Sequence, residues 1–220
     1  MPAARLAKNE YATYLIGMDL AEGAVTLAEP MPRPGRKRCE ETQQAILHAA
    51  YALLEEGGMG KFTIEGVAAR SGAAKTTIYR WWPSKGRLAA EAFLASTETL
   101  ASPPETASAV ADLKTHMGLL AALFSSRVGY IVAGLIAEGH TDPETVAVYR
   151  RGIVERRNVI ASTILRRGIA EGAFRPDLDI EVTLDALYGP LYTRLLMAFG
   201  PLDQAYVERL ADTVLRGIMA

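Results

Sequence analysis

"TTIYRWWPSK", residues 76–85, sets two threonines, a tyrosine and an arginine beside adjacent tryptophans and a proline. The stretch reads as a short helix from about Ala74 through Trp81, ended by Pro83, because the residue before a proline is pushed out of the helical region. At about 100° per residue, Ile78 turns inward, Thr76 and Arg80 turn outward, and Lys75, Thr77 and Tyr79 take the flanks. Trp82 returns to the inner side, and Trp81 is expected partly inward. One face is oily and the other can donate hydrogen bonds.

The neighbouring segments supply what such a helix needs. Upstream, "TIEGVAARSG" (residues 63–72) places Thr63 to cap a two-turn helix, Glu65 in its positive first turn and Gly72 at its stop. Val67 and Ala68 are its partners for Ile78. Before it, "EETQQAILHAAYALLEEGG" (residues 40–58) repeats apolar residues at Ala45, Ile46, Ala49, Ala50, Leu53 and Leu54, one face of a longer helix ended by Gly57 and Gly58. Downstream, Ser84 caps a fourth helix, "KGRLAAEAFLASTETL". Two short helices joined by a tight turn and backed by a longer one form a helix-turn-helix unit.

The whole chain has 220 residues, half of them hydrophobic, enough for a sizeable core. Its one cysteine, Cys39, cannot form an internal disulfide, and no secretory leader is evident, so a cytoplasmic protein is expected. The longest apolar runs, His116–Ser126 and Val128–Ala137, fall far short of the ~20 residues that span a bilayer, and no membrane partner is expected. Net charge is −1, but it is unevenly spread: residues 33–100 carry 10 basic and 7 acidic side chains (+3), residues 1–32 carry 2 and 4 (−2), and residues 101–220 carry 12 and 14 (−2). The positive excess surrounds the helix-turn-helix unit. Local charge of this kind matters more for a nucleic-acid partner than the total.

Thr63, the pair Val67-Ala68, Gly72, Tyr79, Trp82, Lys85 and Leu88 stand in the pattern and spacing of one family. Over about 50 residues the chain resembles the TetR family of transcriptional regulators. It departs at Ala74, where the family often has a serine, and at Arg80-Trp81, where members vary. The resemblance implies that the third helix enters the major groove and that two subunits read half-sites of a pseudo-palindromic operator in double-stranded DNA. Chemistry then suggests roles. Lys75 and Arg80 can donate to guanine O6 and N7, Thr76 and Thr77 can meet base edges, and Tyr79 can reach a base or a phosphate. Thr63 and Lys85, at helix starts, suit phosphates. "RPGRKR" (Arg33–Arg38) precedes the first helix and is expected to be an extended or flexible arm, with Arg36, Lys37 and Arg38 near phosphates or the minor groove. Residues 1–32 lie outside the family pattern, and Met31 offers an alternative start.

"ASPPETAS" (residues 101–108) is a linker by composition, and helical patterns follow over about 109–125, 128–139, 143–171, 179–199 and 204–218. "RPDLD", "LYGPLYTRLL" and "PLD" occur in this order in the C-terminal domain of one TetR subgroup, so the resemblance runs from residue 36 to the end. The expected layout is an extension over 1–35, a helix-turn-helix domain with its connecting helix over 36–100, and a ligand-binding and dimerisation domain over 109–220. Gly189-Pro190 is expected to kink the helix that carries it. In the family the last two long helices pair with their copies. Leu187, Leu191, Leu195, Val207, Leu210, Val214 and Ile218 recur here at helical spacing and are the expected dimer face. For the effector pocket that the resemblance implies, Phe93, Leu120, Phe124, Ile131, Leu135, Tyr149, Ile153, Tyr188 and Tyr192 are candidates. No charge pattern marks the ligand, and an apolar or aromatic effector is expected.

Enzyme chemistry finds no footing. His48, His116 and His140 lie far apart in sequence, no pair has the spacing of a helical metal site, and no glycine-rich phosphate loop occurs. Glu40-Glu41 and Glu55-Glu56 are adjacent on helices, where neighbours do not face each other. Neither metal nor cofactor is expected. The sequence thus predicts an all-α, one-component regulator, most simply a dimeric repressor released by a small molecule that resets the fourth helix. A DNA-binding or protein-interaction dimer without an effector is the alternative.

Overall fold

The structure is a computed structural model that describes residues 34–97, 106 and 108–219, with side chains from Cys39 onward. Residues 1–33, the side chains of Arg36, Lys37 and Arg38, and all of the 101–108 linker except Thr106 and Ser108 lie outside the described residues.

Ten α-helices make up the described chain: α1 Pro34–Lys61, α2 Ile64–Ser71, α3 Lys75–Trp81, α4 Lys85–Thr97, α5 Ala109–Phe124, α6 Arg127–Glu138, α7 Pro143–Tyr149, α8 Glu155–Ala170, α9 Ile180–Met197 and α10 Gln204–Arg216. A single π turn, Arg150–Val154, joins α7 to α8. No strand occurs among the described residues; Phe174 and Met219 form one isolated antiparallel bridge.

The cap residues set the ends as their chemistry requires. Thr63 Oγ1 accepts from the Gly66 amide at 3.0 Å, and Gly72 closes α2 in the left-handed conformation (φ 70°), which only glycine adopts without cost. Ser108, Ser126, Asp179 and Asp203 each accept an amide hydrogen bond at the start of α5, α6, α9 and α10. Ala74, at the start of α3, has no side-chain cap. One expectation fails at α1. The basic stretch is not an extended arm: the helix starts at Pro34, whose fixed φ suits a first helical position, and residues 34–38 form its opening turn. The helix α9 continues through Pro190, which deprives the exposed Ala186 carbonyl of its partner.

Ile46, Ala50 and Leu54 of α1, Val67 of α2, Ile78 of α3 and Leu88 of α4 pack into one core around Trp82. The Trp82 indole is 1% exposed, meets Trp81 edge-on at 5.6 Å and donates from Nε1 to Glu91 of α4 at 2.7 Å. Its loss would cost about 3–5 kcal/mol, the usual penalty for emptying such a site. The fourth helix carries this core into the second half through Ala89, Ala92 and Phe93, where Phe93 tilts against Tyr149 of α7 at 6.4 Å. No described helix is long and apolar enough to cross a membrane, and the two most apolar, α5 and α6, meet at 81° and bury Leu113, Met117, Leu120, Ile131 and Leu135.

At the start of α4 the two halves interlock. Gly86 sits so close to α7 that a Cβ there would collide with Thr145 Oγ1. Ser84 caps α4 by accepting from the Arg87 amide at 3.1 Å and donates to Asp142, which also accepts from Thr145 Oγ1 at 2.9 Å. The Ser84 hydrogen bond, opposed by burial and joined by Thr145, holds the Asp142 carboxyl below its usual range. Lys85 pairs with Glu138 of α6 at 3.4 Å.

Candidate nucleic-acid interface and ligand cavity

The inner face of α3 is fixed by Ile78 and Trp82, so its other residues point away from the core. Lys75, Thr76 and Arg80 are exposed, Tyr79 is 51% exposed and Thr77 is half-buried. These five form one polar surface on a helix of two turns. Two of them already have partners. Lys75 Nζ contacts Glu65 Oε1 at 2.8 Å, a pair that raises the lysine pKa and lowers that of the carboxyl, and the Arg80 guanidinium lies 5.6 Å from the Trp81 ring centre. Thr63, Tyr79 and Lys85 line one shallow recess together with Met59 and Pro83. The starts of α2 and α4, separated by 22 positions in sequence, thus flank the side of α3.

A second feature lies in the C-terminal half. A cavity of about 340 Å³ is bounded by Ile136 of α6, Val146 and Tyr149 of α7, Arg150 and Val154 of the π turn, Arg157 of α8, and Leu184, Asp185, Tyr188, Gly189, Tyr192 and Leu196 of α9. Of the nine expected pocket residues, Tyr149, Tyr188 and Tyr192 line it. The other six do not. Leu120, Ile131, Leu135 and Ile153 are core packing, while Phe93 and Phe124 stand behind the lining, against Tyr149 and Tyr192.

The cavity wall carries a buried cation. Arg157 is 5% exposed, donates from Nε and Nη2 to the neutral Asn158 Oδ1 at 3.1 and 2.6 Å, and stacks over the rings of Tyr188 (4.5 Å) and Tyr192 (5.4 Å). Its Nη1 has no hydrogen-bond partner. The Tyr149 and Tyr192 hydroxyls meet at 3.0 Å, and burial, with Tyr192 adding to it, pushes the Tyr149 phenol well up. Tyr188 bonds through its hydroxyl to Nδ1 of the fully buried His116, whose pKa is pushed down to about 3 by burial and secondarily by Arg157. The imidazole is neutral. A signal for Arg157 existed in the sequence: it continues the apolar stripe Ile153, Ile160, Ile164 at helical spacing, where a solvated arginine has no reason to be.

Much of the expected dimer face is covered within one chain. Leu187, Leu191, Val207 and Ile218 are buried within this chain's own core, and Leu195, Leu210 and Val214 are half-buried. Their spacing marked a face that packs inward, against α5, α6 and α8. The exposed stripe of α9 is a different one, Val182, Ala186, Gly189, Thr193 and Met197, continued by Leu196 and Phe199. On α10 the exposed residues other than Ala205, such as Glu208, Arg209, Asp212 and Arg216, are polar.

A helix-turn-helix unit with a polar surface outward, joined by one helix to an all-helical body, is the architecture of a DNA-binding transcriptional regulator. Residues 46–92 match the family model for bacterial regulatory proteins of the tetR family, and residues 103–214 match a tetracyclin repressor-like C-terminal domain. An HTH-type transcriptional regulator of Bacillus subtilis, YdeS, is 37% identical over 186 residues, covering 84% of this chain and 94% of that protein. A DNA-binding transcriptional repressor TetR of Mycobacteroides abscessus is 30% identical over 179 residues, 81% of this chain and 94% of the relative. The crystal structure of the TetR family transcription regulator SCO0332 superposes with a TM-score of 0.67 at 35% identity, covering 82% of this chain and all of that one. The chain belongs to the TetR family of transcriptional regulators, whose members are generally repressors and bind DNA operators as dimers.

Proposed function

We propose that this chain is a one-component repressor working in the cytoplasm, which binds a pseudo-palindromic operator as a homodimer and is released by a small molecule seated in the cavity. Residues 36–100 bind DNA and residues 109–220 bind the effector and the second subunit. Lys75, Thr76, Thr77, Tyr79 and Arg80 read bases, while Thr63, Lys85 and the basic residues Arg36, Lys37 and Arg38 hold phosphates. Two copies pair through the exposed stripe of α9.

One observation carries the switch. The elements that line the cavity, through Ile136, Val146 and Tyr149, are those that grip the start of α4 through Glu138, Asp142 and Thr145. An effector that spreads α6 and α7 therefore shifts α4, and with it the spacing of two recognition helices from the ~34–36 Å that successive major grooves demand. Selection of bound fragments from genomic DNA gives the operator. A compound that raises the melting temperature and abolishes operator binding supports the reading; an operator complex that no cavity ligand can dissociate overturns it.

A further inference from the structure

The geometry points to an acid-specific effector site: the cavity takes a small organic carboxylate on an apolar or aromatic body, with Arg157 as its counter-ion. This rests on the effector reading above and names the class of ligand.

The argument starts from a charge the fold leaves unmatched. Arginine stays protonated at any working pH, and a buried charge without an opposite one is costly. Every contact of Arg157 is neutral: the Asn158 amide oxygen and the faces of Tyr188 and Tyr192. No carboxylate of the described residues pairs with it, although Asp112, Glu138, Glu155 and Asp212 do pair with other cations. The stacked rings offset part of the cost. They cannot satisfy Nη1, which has no hydrogen-bond partner.

The other charged groups nearby sit at the mouth and not on the inner wall. Asp185 and Arg150 belong to the exposed rim, and Arg150 is taken up by Glu155 at 3.7 Å. His116, behind Tyr188, is neutral. The inner wall thus presents one fixed positive charge. Around it stand Ile136, Val146, Val154, Leu184 and Leu196, with the Tyr149 and Tyr192 hydroxyls as further polar points. An amine would meet repulsion beside Arg157 on the inner wall, and an uncharged hydrocarbon would leave the guanidinium dry and alone. A carboxylate headgroup satisfies the cation while its apolar body fills the rest, and about 340 Å³ is at the small end of the range for ligand sites.

The test is a matched series, 4-phenylbutyrate and decanoate against the corresponding alcohols and amines, with binding read by calorimetry and melting temperature on the full-length dimer. The acids are expected to bind about 30-fold or more tighter than their alcohols, with no binding by the amines. In Arg157→Gln the acids should fall to the level of the alcohols while alcohol binding stays put; Arg157→Lys should keep part of the preference. Equal binding of acids and alcohols by the wild type, or an acid preference that survives Arg157→Gln, overturns the inference. Should Arg157→Gln fail to fold, the wild-type comparison decides alone. Absence of binding by all three series also overturns it. In each of these failures the broader effector reading stands if some compound still releases the operator, and falls if none does.

Discussion

Lys75, proposed above to read a base, is already engaged before DNA arrives, since Glu65 holds its ammonium at 2.8 Å. Both side chains are exposed, so the pair is readily exchanged, and on the proposed reading Glu65 would aim the lysine while adding a negative charge that penalises loosely fitting DNA. Lys75→Ala is expected to cost about tenfold to a hundredfold at particular half-site positions, whereas Lys85→Ala should weaken all sequences evenly; titrations on single-base operator variants would show the difference. Identical base profiles for Lys75→Ala and wild type would remove Lys75 from the reading set. His116 gives a pH signature. Its folded pKa of about 3 lies below the ordinary 6.5, so the unfolded chain binds the extra proton and stability falls as pH drops from about 6.5 towards 3. Asp112 and Asp142, held below their ordinary 3.8, add to the loss only at the acidic end of that window. Melting curves from pH 7 to 4.5 should show a declining midpoint that His116→Gln flattens. The polar face of α3 was legible in sequence because a seven-residue helix with one buried position leaves little choice. Glu65 as the partner of Lys75 was not, because the two lie ten positions apart on different helices.

At the scale of elements, the recognition helix is the least secured of its neighbours, as Ala74 offers no cap. Ala74→Ser would let a hydroxyl accept one of the open amides and should stabilise the protein by about 0.5–2 kcal/mol, read by chemical denaturation, while leaving the operator sequence unchanged. No gain would mean that the start of α3 is already held by its backbone bonds from Thr77 and Ile78 to the Ala74 carbonyl. The π turn between α7 and α8 was missed, and the reason is visible in the buried residues. Thr145, Tyr149, Ile153, Arg157, Ala161 and Leu165 are all buried at strict intervals of four. Such a stripe drifts by about 40° per step on an ordinary helix, and one widened turn takes up part of the drift, which keeps Arg157 on the inner side. Reading 143–171 as a single regular helix found the element and lost its register. The caps at Thr63, Gly72 and Ser84 were all legible, since each rests on local chemistry.

For the molecule as a whole, the all-helical plan, the position of the helix-turn-helix unit and the five later helical stretches could be read from spacing and breakers. Which apolar face belongs to the chain's own core could not. Helical periodicity shows that a face is apolar, but Leu187 and Leu191 bury theirs against neighbours far away in sequence. The two faces of α9 therefore make opposite predictions. Met197→Asp with Phe199→Asp should split the dimer and leave a folded monomer, because both side chains are more than half exposed. Leu191→Asp should instead unfold the chain by burying an unpaired carboxylate. Light scattering and circular dichroism together separate these results, and a dimer that survives the first pair would move the interface elsewhere. The grip on α4 has a consequence for genetics. Gly86, Asp142 and Thr145 line neither the recess beside α3 nor the cavity, and Ser84 borders only that recess, yet the four join the two. Substitutions there should yield a distinct class of alleles: proteins that still bind operator and effector separately but leave the promoter silent whatever is added to the medium. A screen for such uninducible mutants should recover changes clustered at these four positions.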